Sequence, residues 1–185
     1  MSVHTLLAAL LAATLVFGDS FEKPHVAGAY YRYAAGTQLG PWTVTRGDVD
    51  VAADSLWQVA EGRQNIDLDG GQQGAIAATF ATKPLLTYRI TYALAGNYAG
   101  PPTIKTGELR VNGQVIQQLS FDTTGRSATD MGFTRRTAYV LARGTSFELE
   151  FASTTTPAGH GPVIDDVRVE ACLLIICPKA QALTA

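Results

Sequence analysis

The chain has 185 residues, a formal net charge of −2, 46% hydrophobic residues and 16% charged residues. This length allows one domain with a hydrophobic core and is short for two. The small negative charge, without a basic stripe, argues against a nucleic-acid-binding protein, and the apolar content argues against a disordered chain.

Residues 1–14 are predicted to be a signal peptide. The apolar block Leu6–Ala13 has the length of a signal-peptide core and is far shorter than the roughly 20 residues of a membrane span. No Lys or Arg precedes the block and no A-x-A cleavage site follows it, so a misplaced start or a buried first strand stays an alternative. We expect a mature chain without a membrane span, located outside the cell or at its surface.

From Leu15 onward, short strands alternate with turns. A first strand is predicted to end at Glu22, and Leu86–Leu94 alternates between apolar and polar residues, as in a half-buried strand. Asn112-Gly113 joins two strands and is a strong hairpin signal. The further predicted strands are Trp42–Thr45, Asp48–Ala52, Leu56–Ala60, Gln64–Leu68, Ala75–Phe80, Thr134–Ala142, Thr145–Ser153 and Val163–Glu170. This pattern predicts one all-β domain of two packed antiparallel sheets, a β-sandwich spanning 15–170.

The last predicted strand places an acid among apolar residues. Val163, Val167 and Val169 share one parity, and Asp165 lies between them. A carboxylate on the core-facing side needs compensation, which Ca²⁺ supplies through oxygen ligands. Glu22 is the matching acid, because chain ends are often neighbours in a compact domain. The alternative is that Asp165 only caps a turn beyond the sheet.

The two cysteines, Cys172 and Cys177, lie in a C-terminal appendage, residues 171–185. They lack the spacing and the partners of a redox pair or a zinc site. A disulfide between them requires a bend, because an extended strand would hold their Cα atoms too far apart. A small disulfide loop and two unpaired thiols both stay open.

Segments along the chain together resemble the DUF642 family in its bacterial "choice-of-anchor C" form. The segments are, in order, SFEKP, GPWTVTRGDVDV, SLWQVAEGRQNIDLDG, ATFAT, YRITYALAGN, LRVNGQVIQQLSFDTTGRSATDMGF and GPVIDDVRV. The resemblance implies a galactose-binding-like jelly roll, related to carbohydrate-binding modules and found in secreted and cell-wall proteins. The chain departs from the family in having Gly18-Asp19 where Asn-Gly is usual, and it lacks a sorting anchor. Free secretion is therefore expected rather than surface attachment.

The resemblance also implies a structural Ca²⁺. Related modules hold it with a Glu in an N-terminal "FE" and an Asp in a C-terminal "ID", which correspond here to Glu22 and Asp165. Carbonyl groups near Ser20 and around Gly47 and Asp48 would complete the site, with Asp166 as a substitute ligand.

Aromatic and amide side chains form the predicted sugar site. In this interpretation an aromatic ring stacks on a pyranose, while amides and acids bond its hydroxyls. The alternative is that Trp57 belongs to the core and that the polar residues are merely solvated. Tyr30, Tyr31 and Tyr33 form a second aromatic candidate. The predicted ligand-binding residues are Trp57, Gln58, Gln64, Asn65, Asp67, Tyr31, Asn97 and Tyr98.

Catalytic patterns are scarce. His25 and His160 lie in loops without a visible partner, and nothing pairs the acids Asp67, Asp69 and Glu61 as a glycosidase requires. We therefore expect a non-enzymatic carbohydrate-binding module for cell-wall or extracellular polysaccharide. The alternatives are a matrix or protein-interaction module that docks another secreted protein, and a hydrolase with an unrecognised acid pair.

Overall fold

The structure, a computed structural model, describes residues 13–172 and consists there of strands and loops. The strands are β1 Thr14–Asp19, β2 Tyr30–Ala34, β3 Gln38–Leu39, β4 Trp42–Arg46, β5 Asp48–Ala53, β6 Gln64–Asp67, β7 Ala75–Ala81, β8 Thr87–Gly96, β9 Ile104–Val111, β10 Gln114–Asp122, β11 Thr134–Leu141, β12 Ser146–Ser153 and β13 Pro162–Ala171. No helix in this part of the chain could cross a membrane.

Two antiparallel sheets form a sandwich, which confirms the predicted fold class. The first sheet has the order β11-β8-β13-β6-β5-β2, with β1 also paired to β13; the second has the order β10-β9-β12-β7-β4-β3. Alternating apolar residues meet between the sheets. The ring of Tyr92 in β8 lies edge-on to Phe151 in β12, with centroids 4.9 Å apart, and Trp42 of β4 contacts the same phenylalanine. The core therefore lies between the sheets.

The predicted hairpin is confirmed. β9 and β10 pair in antiparallel register around Asn112 and Gly113, whose φ angles are 50° and 77°. Positive φ at both central residues is the geometry of a type I′ turn, which Asn-Gly favours because glycine tolerates this region and asparagine visits it.

Three sequence predictions about strands were wrong. Leu56–Ala60 forms turns and bends rather than a strand, and β1 ends at Asp19, before Glu22. The shared parity of Val163, Asp165 and Val169 is interrupted, because β13 shifts register between Asp165 and Arg168. Asp166 lies in this bulge with φ 43°. An extra residue at a bulge moves the following side chains to the other face, which a period-two pattern cannot reveal.

The chain termini lie largely outside the described residues. β1 begins at Thr14, within the predicted signal peptide, whereas residues 1–12 lie outside. Cys172 is buried after β13, and its backbone amide donates to the Thr87 carbonyl over 2.9 Å. Cys177 lies outside the described residues, as does the rest of the appendage.

Candidate functional site

Trp57 is buried, so the prediction that it forms a sugar-stacking platform was wrong. Only 6% of the residue is exposed, and its indole Nε1 donates to Asn65 Oδ1 over 2.9 Å. Tyr98 lies edge-on to it at 6.4 Å between centroids. The segment 54–63 places this tryptophan beside β6. Because an alternating pattern does not show which sheet face a loop covers, the sequence left this burial open.

Gln64 and Asn65 of β6 have no exposed surface and hold backbone in place. The Gln64 carboxamide accepts from the Val26 amide and donates to the Phe21 carbonyl, both over 2.7 Å. The Asn65 carboxamide donates to the Gln58 carbonyl over 3.3 Å. A sugar cannot reach either side chain in this arrangement, which corrects their assignment as ligand-binding residues.

Asp67 and Asn97 form a buried pair at one end of the sandwich. Asn97 Nδ2 donates to Asp67 Oδ2 over 2.7 Å, and Asp67 Oδ1 accepts from the amides of Asp69 and Gly161 over 2.9 and 3.0 Å. Burial raises the pKa of the Asp67 carboxyl to about 8, although these hydrogen bonds oppose the change. This pair is therefore structural, and Asp67 is also inaccessible to a sugar.

A second buried acid lies beside this pair. Both oxygens of Asp69 are buried and have no hydrogen-bond partner, although the Ser153 hydroxyl and the Gly74 amide lie close to them. Burial raises its pKa to about 6. Lys105, which is fully buried, donates to the Gly100 carbonyl over 2.6 Å, and burial lowers its pKa against the opposing charges of the two acids. Sequence reasoning missed Lys105, because a lone lysine in a strand carries no sign of burial.

Glu22 and Asp165, the predicted calcium ligands, meet at one segment of backbone. Asp165 Oδ2 accepts from the amides of Ala60 and Glu61 over 2.8 and 3.0 Å. Glu22 Oε1 accepts from the amides of Arg63 and Gln64 over 2.7 and 3.0 Å. Acids from the two ends of the domain thus bind the same short segment, whereas their predicted meeting around a calcium ion stays a prediction.

Gly47 and Asp48, also predicted metal ligands, have their contacts elsewhere in the structure, whereas Ser20 and Asp166 lie near this pair. Asp48 is the first residue of β5, and its carboxylate accepts a hydrogen bond from the amide of Gln72 over 3.0 Å. Gly47 packs against Gln73. Asp166 is paired with Arg135 and with Arg168, the latter over 2.7 Å. Ser20 lines a shallow depression next to Asp166.

The hydrogen bonds of Glu22 and Asp165 argue against a calcium ion between them. Ca²⁺ requires six to eight oxygen ligands, whereas backbone N–H groups approach both carboxylate oxygens of Asp165 and Oε1 of Glu22 here. Within residues 13–172, no group of three or more His, Cys, Asp or Glu side chains could hold a metal ion. The calcium stays a prediction, which the experiments below test.

A cleft of about 430 Å³ opens beside this segment. One wall is the backbone around Gln58, whose side-chain Oε1 accepts from the Met131 amide over 2.8 Å and whose own amide donates to the Ala128 carbonyl over 2.7 Å. The other wall belongs to the start of β11 and the loop before it. The lining residues are Gln58, Val59, Ala60, Ala93, Asp130, Gly132, Phe133, Thr134 and Arg135.

The polar groups of this cleft are held in place. Arg135 Nη1 donates to the Asp166 carbonyl over 3.0 Å, and its Nη2 bonds the Asp166 carboxylate. The Arg135 side chain is nevertheless 51% exposed, so other N–H groups can face a ligand. Phe133 is half-buried and provides an aromatic ring, while Asp130 is exposed. Among the predicted ligand-binding residues, Gln58 reaches this cleft.

The tyrosines lie elsewhere, on the edge strand β2. Tyr31 is 60% exposed, and its ring lies 4.8 Å from that of Tyr33. Tyr30 is exposed as well. This aromatic edge is separated from the cleft by the width of the first sheet, because β2 and β11 are its two outermost strands.

The sequence profile of DUF642, a family described as proteins of unknown function, matches residues 15–170. The chain belongs to the DUF642 family. No curated protein matches the chain in sequence.

Solved carbohydrate-binding modules share the fold of this DUF642 domain. A family 35 module from an environmental isolate is 15% identical, with a TM-score of 0.52 over 83% of this chain and 91% of that one. The CBM22-1 xylan-binding domain of Paenibacillus barcinonensis Xyn10C is 18% identical, with a TM-score of 0.51 over 88% and 97%. A family 35 module from Clostridium thermocellum is 11% identical, with a TM-score of 0.50 over 85% and 97%. At these identities the likeness concerns the fold alone.

Proposed function

We propose that this DUF642 domain is a non-catalytic carbohydrate-binding module that recognises polysaccharide outside the cell. The proposal rests on the cleft between Gln58 and Arg135, whose lining brings together an amide, a guanidinium, the carboxylate of Asp130 and the half-buried aromatic residue Phe133. Sugars present hydroxyl groups at their edges and C–H groups on their faces. A cleft with both fixed hydrogen-bonding groups and one aromatic ring matches those two features.

The rigidity of the cleft supports binding. Because Gln58 and Arg135 are already hydrogen-bonded to neighbouring backbone, little side-chain entropy is lost when they contact a ligand. Each sugar hydroxyl must, however, lose water before it gains a new bond, so the net gain per hydrogen bond is small. We therefore expect weak binding to a single sugar unit and stronger binding to a chain.

The distribution of acids supports a role without catalysis. Hydrolysis of a glycosidic bond requires two carboxyl groups about 5 to 9 Å apart at the scissile bond. Asp130 is the acid among the residues that line the cleft. The acids with raised pKa values, such as Asp67 and Asp165, are buried and hold backbone amides instead.

The fold of the solved modules supports the proposal at the level of architecture. Their names describe carbohydrate-binding modules, one of them xylan-binding. A β-sandwich of this type hosts many activities, so the specific function depends on the chemistry of the cleft. A secreted protein would meet such polysaccharides directly, in keeping with the predicted signal peptide.

A retention assay on insoluble polysaccharides tests the function. Purified protein is mixed with xylan, cellulose, pectin and mannan, and binding to the matching soluble oligosaccharides is measured by calorimetry. Phe133→Ala and Arg135→Ala should each lower affinity for the retained glycan about tenfold or more, which corresponds to about 1.4 kcal/mol. Tyr31→Ala, on the distant edge strand, is the matched control and should bind normally.

Two results would contradict the proposal. Retention on none of the polysaccharides, together with capture on a secreted protein, would favour the protein-docking alternative. Loss of binding in Tyr31→Ala but not in Phe133→Ala would move the sugar site to the tyrosine edge.

A further inference from the structure

We infer that Glu22 and Asp165 form a metal-free clamp that holds the segment Ala60–Gln64 and thereby fixes one wall of the cleft. We call these two side chains, together with the four backbone amides that donate hydrogen bonds to them, the carboxylate clamp. The clamp itself is independent of any ligand, whereas its consequence for binding depends on the proposed function.

Four hydrogen bonds define the carboxylate clamp. Asp165, which has no exposed surface, binds two consecutive amides at the start of the segment, and Glu22 binds two consecutive amides at its end. Such charge-assisted bonds to backbone N–H groups are stronger than bonds between neutral partners. The segment is thus attached at both ends to residues that come from opposite termini of the domain.

Gly62 lies between these attachment points and has φ +65°. An added Cβ at this position would approach Glu22 Oε1 to 2.3 Å. Glycine therefore permits both the left-handed backbone and the close approach of the carboxylate. A glycine at position 62 is therefore what a backbone segment in direct contact with the Glu22 carboxylate requires.

Backbone amides bind the carboxylate oxygens that a cation would use as ligands. Asp165 uses its second oxygen as well, because Oδ1 accepts from the Asp166 amide over 2.7 Å. Three N–H groups therefore surround one carboxylate, and each presents its positive end to an oxygen. Those donors offset part of the cost of burying the charge, and burial, which raises the pKa of Asp165 to about 7, lets the carboxyl bind a proton instead of a cation.

The carboxylate clamp and the cleft share a residue, Ala60, so the clamp fixes part of the cleft wall. Asp165 accepts a hydrogen bond from the amide of Ala60. Ala60 and the preceding residue, Val59, both line the cleft. In the bulge that follows, Asp166 holds Arg135 on the opposite wall. The neighbouring acids Asp165 and Asp166 of β13 therefore position both walls, which makes Asp165 a positioning residue for the proposed site, while Glu22 holds the other end of the same segment.

Conservative substitutions distinguish the clamp from a calcium site. Glu22→Gln keeps an oxygen that can accept both amides but removes the charge that a calcium ligand needs, whereas Glu22→Ala removes the acceptor. Amide hydrogen exchange of the Ala60–Gln64 segment reads out the clamp directly and requires no glycan. We expect the amides of Arg63 and Gln64 to exchange about tenfold or more faster in Glu22→Ala and nearly as in the wild type in Glu22→Gln.

Asp165→Asn is the third variant. Both carboxylate oxygens of Asp165 accept hydrogen bonds, whereas the side-chain amide of asparagine has only one acceptor oxygen. It should accelerate exchange at Ala60 and Glu61 about tenfold or more, and it should weaken binding of any glycan that the wild type retains. For the wild type, EDTA and millimolar CaCl₂ should leave the unfolding temperature and the exchange pattern unchanged.

The inference is overturned if EDTA lowers the unfolding temperature and calcium restores it, or if Glu22→Gln behaves like Glu22→Ala. It is also overturned if these amides exchange at the rates of exposed loops in the wild type. If Asp165→Asn does not fold, the comparison of Glu22→Ala with Glu22→Gln and the EDTA measurement still distinguish the clamp from a calcium site. A protein that retains no polysaccharide but shows the expected exchange pattern would contradict the proposed function and leave the clamp intact.

Discussion

Gly161 lies directly against the buried carboxylate of Asp67. Its amide donates to Asp67 Oδ1 over 3.0 Å, and an added Cβ would come within 2.8 Å of that oxygen and of the Asp69 side chain. The loop before β13 can therefore cover two acids only because it has no side chain at this point.

Gly161→Ala should destabilise the domain by about 1 to 3 kcal/mol, because the new methyl group has no space beside two buried acids. Gly28→Ala is the matched control, since nothing lies within 4 Å of its added Cβ, and its effect should stay within about 0.5 kcal/mol. Urea unfolding of both variants measures the difference. Equal unfolding midpoints would show that the loop moves away at no cost.

Stability should fall as the pH rises from about 5 to 8. Burial raises the pKa values of Asp69, Asp165 and Asp67 to about 6, 7 and 8, from 3.8 in the unfolded chain. The folded state therefore binds protons more tightly than the unfolded state in this window, so the free energy of unfolding decreases as they are released. Each group contributes at most about 1.4 kcal/mol per pH unit.

Asp67→Asn tests the assignment of this pH dependence. The asparagine cannot titrate, so the slope of stability against pH should become smaller between pH 6 and 8, although the lost hydrogen-bond acceptor lowers stability at acidic pH. Thermal unfolding at half-unit pH intervals provides the measurement. An unchanged slope in the variant would mean that Asp67 does not carry this effect.

Trp57→Phe should lower stability rather than act on a sugar directly. The substitution removes the indole N–H and leaves the buried Asn65 Oδ1 without that donor, at a cost of about 1 to 3 kcal/mol. Chemical denaturation measures the loss, with the exposed Tyr31→Phe as control. A variant of normal stability that no longer binds glycan would restore the platform interpretation.

Asp166 combines a charge with a left-handed backbone. Ion pairs with Arg168 and Arg135 hold the pKa of its carboxyl below its usual range against the effect of burial, and its φ is 43°. Asp166→Asn should weaken glycan binding because Arg135 loses its charged partner, while asparagine still tolerates this φ.

Asp166→Ala should weaken binding similarly and lose roughly a further 1 kcal/mol of stability, because alanine does not favour the left-handed region. Calorimetric affinity and thermal unfolding separate these effects. Equal stability of the asparagine and alanine variants would mean that the backbone strain at this bulge is negligible.

The sequence predicted the strands where local chemistry is decisive. The alternation of Leu86–Leu94 matches β8, and Asn112-Gly113 forms the turn between β9 and β10. The alternating pattern around Asp165 correctly predicted that this acid is buried, but it wrongly placed Asp165 on the same face as Val169. The acid is buried as expected, but the bulge at Asp166 separates its face from that of Val169.

The sequence could not determine which polar groups face solvent. Trp57, Asn65 and Asp67 have the composition of a sugar site, yet each is buried and hydrogen-bonded to another part of the chain. Arg135 and Phe133, by contrast, carried no distinguishing pattern and line the cleft. Exposure depends on where a distant loop packs, and residue type does not encode that.

By itself, then, the sequence determined the β-sandwich, because strand periodicity and turn chemistry act between residues close together in the chain. It also indicated that acids from the two termini would meet. Only the tertiary structure decided what they hold. The partners of Glu22 and Asp165 are backbone amides about 40 and 100 residues away, and every residue except proline has such an amide, so no side-chain motif marks them.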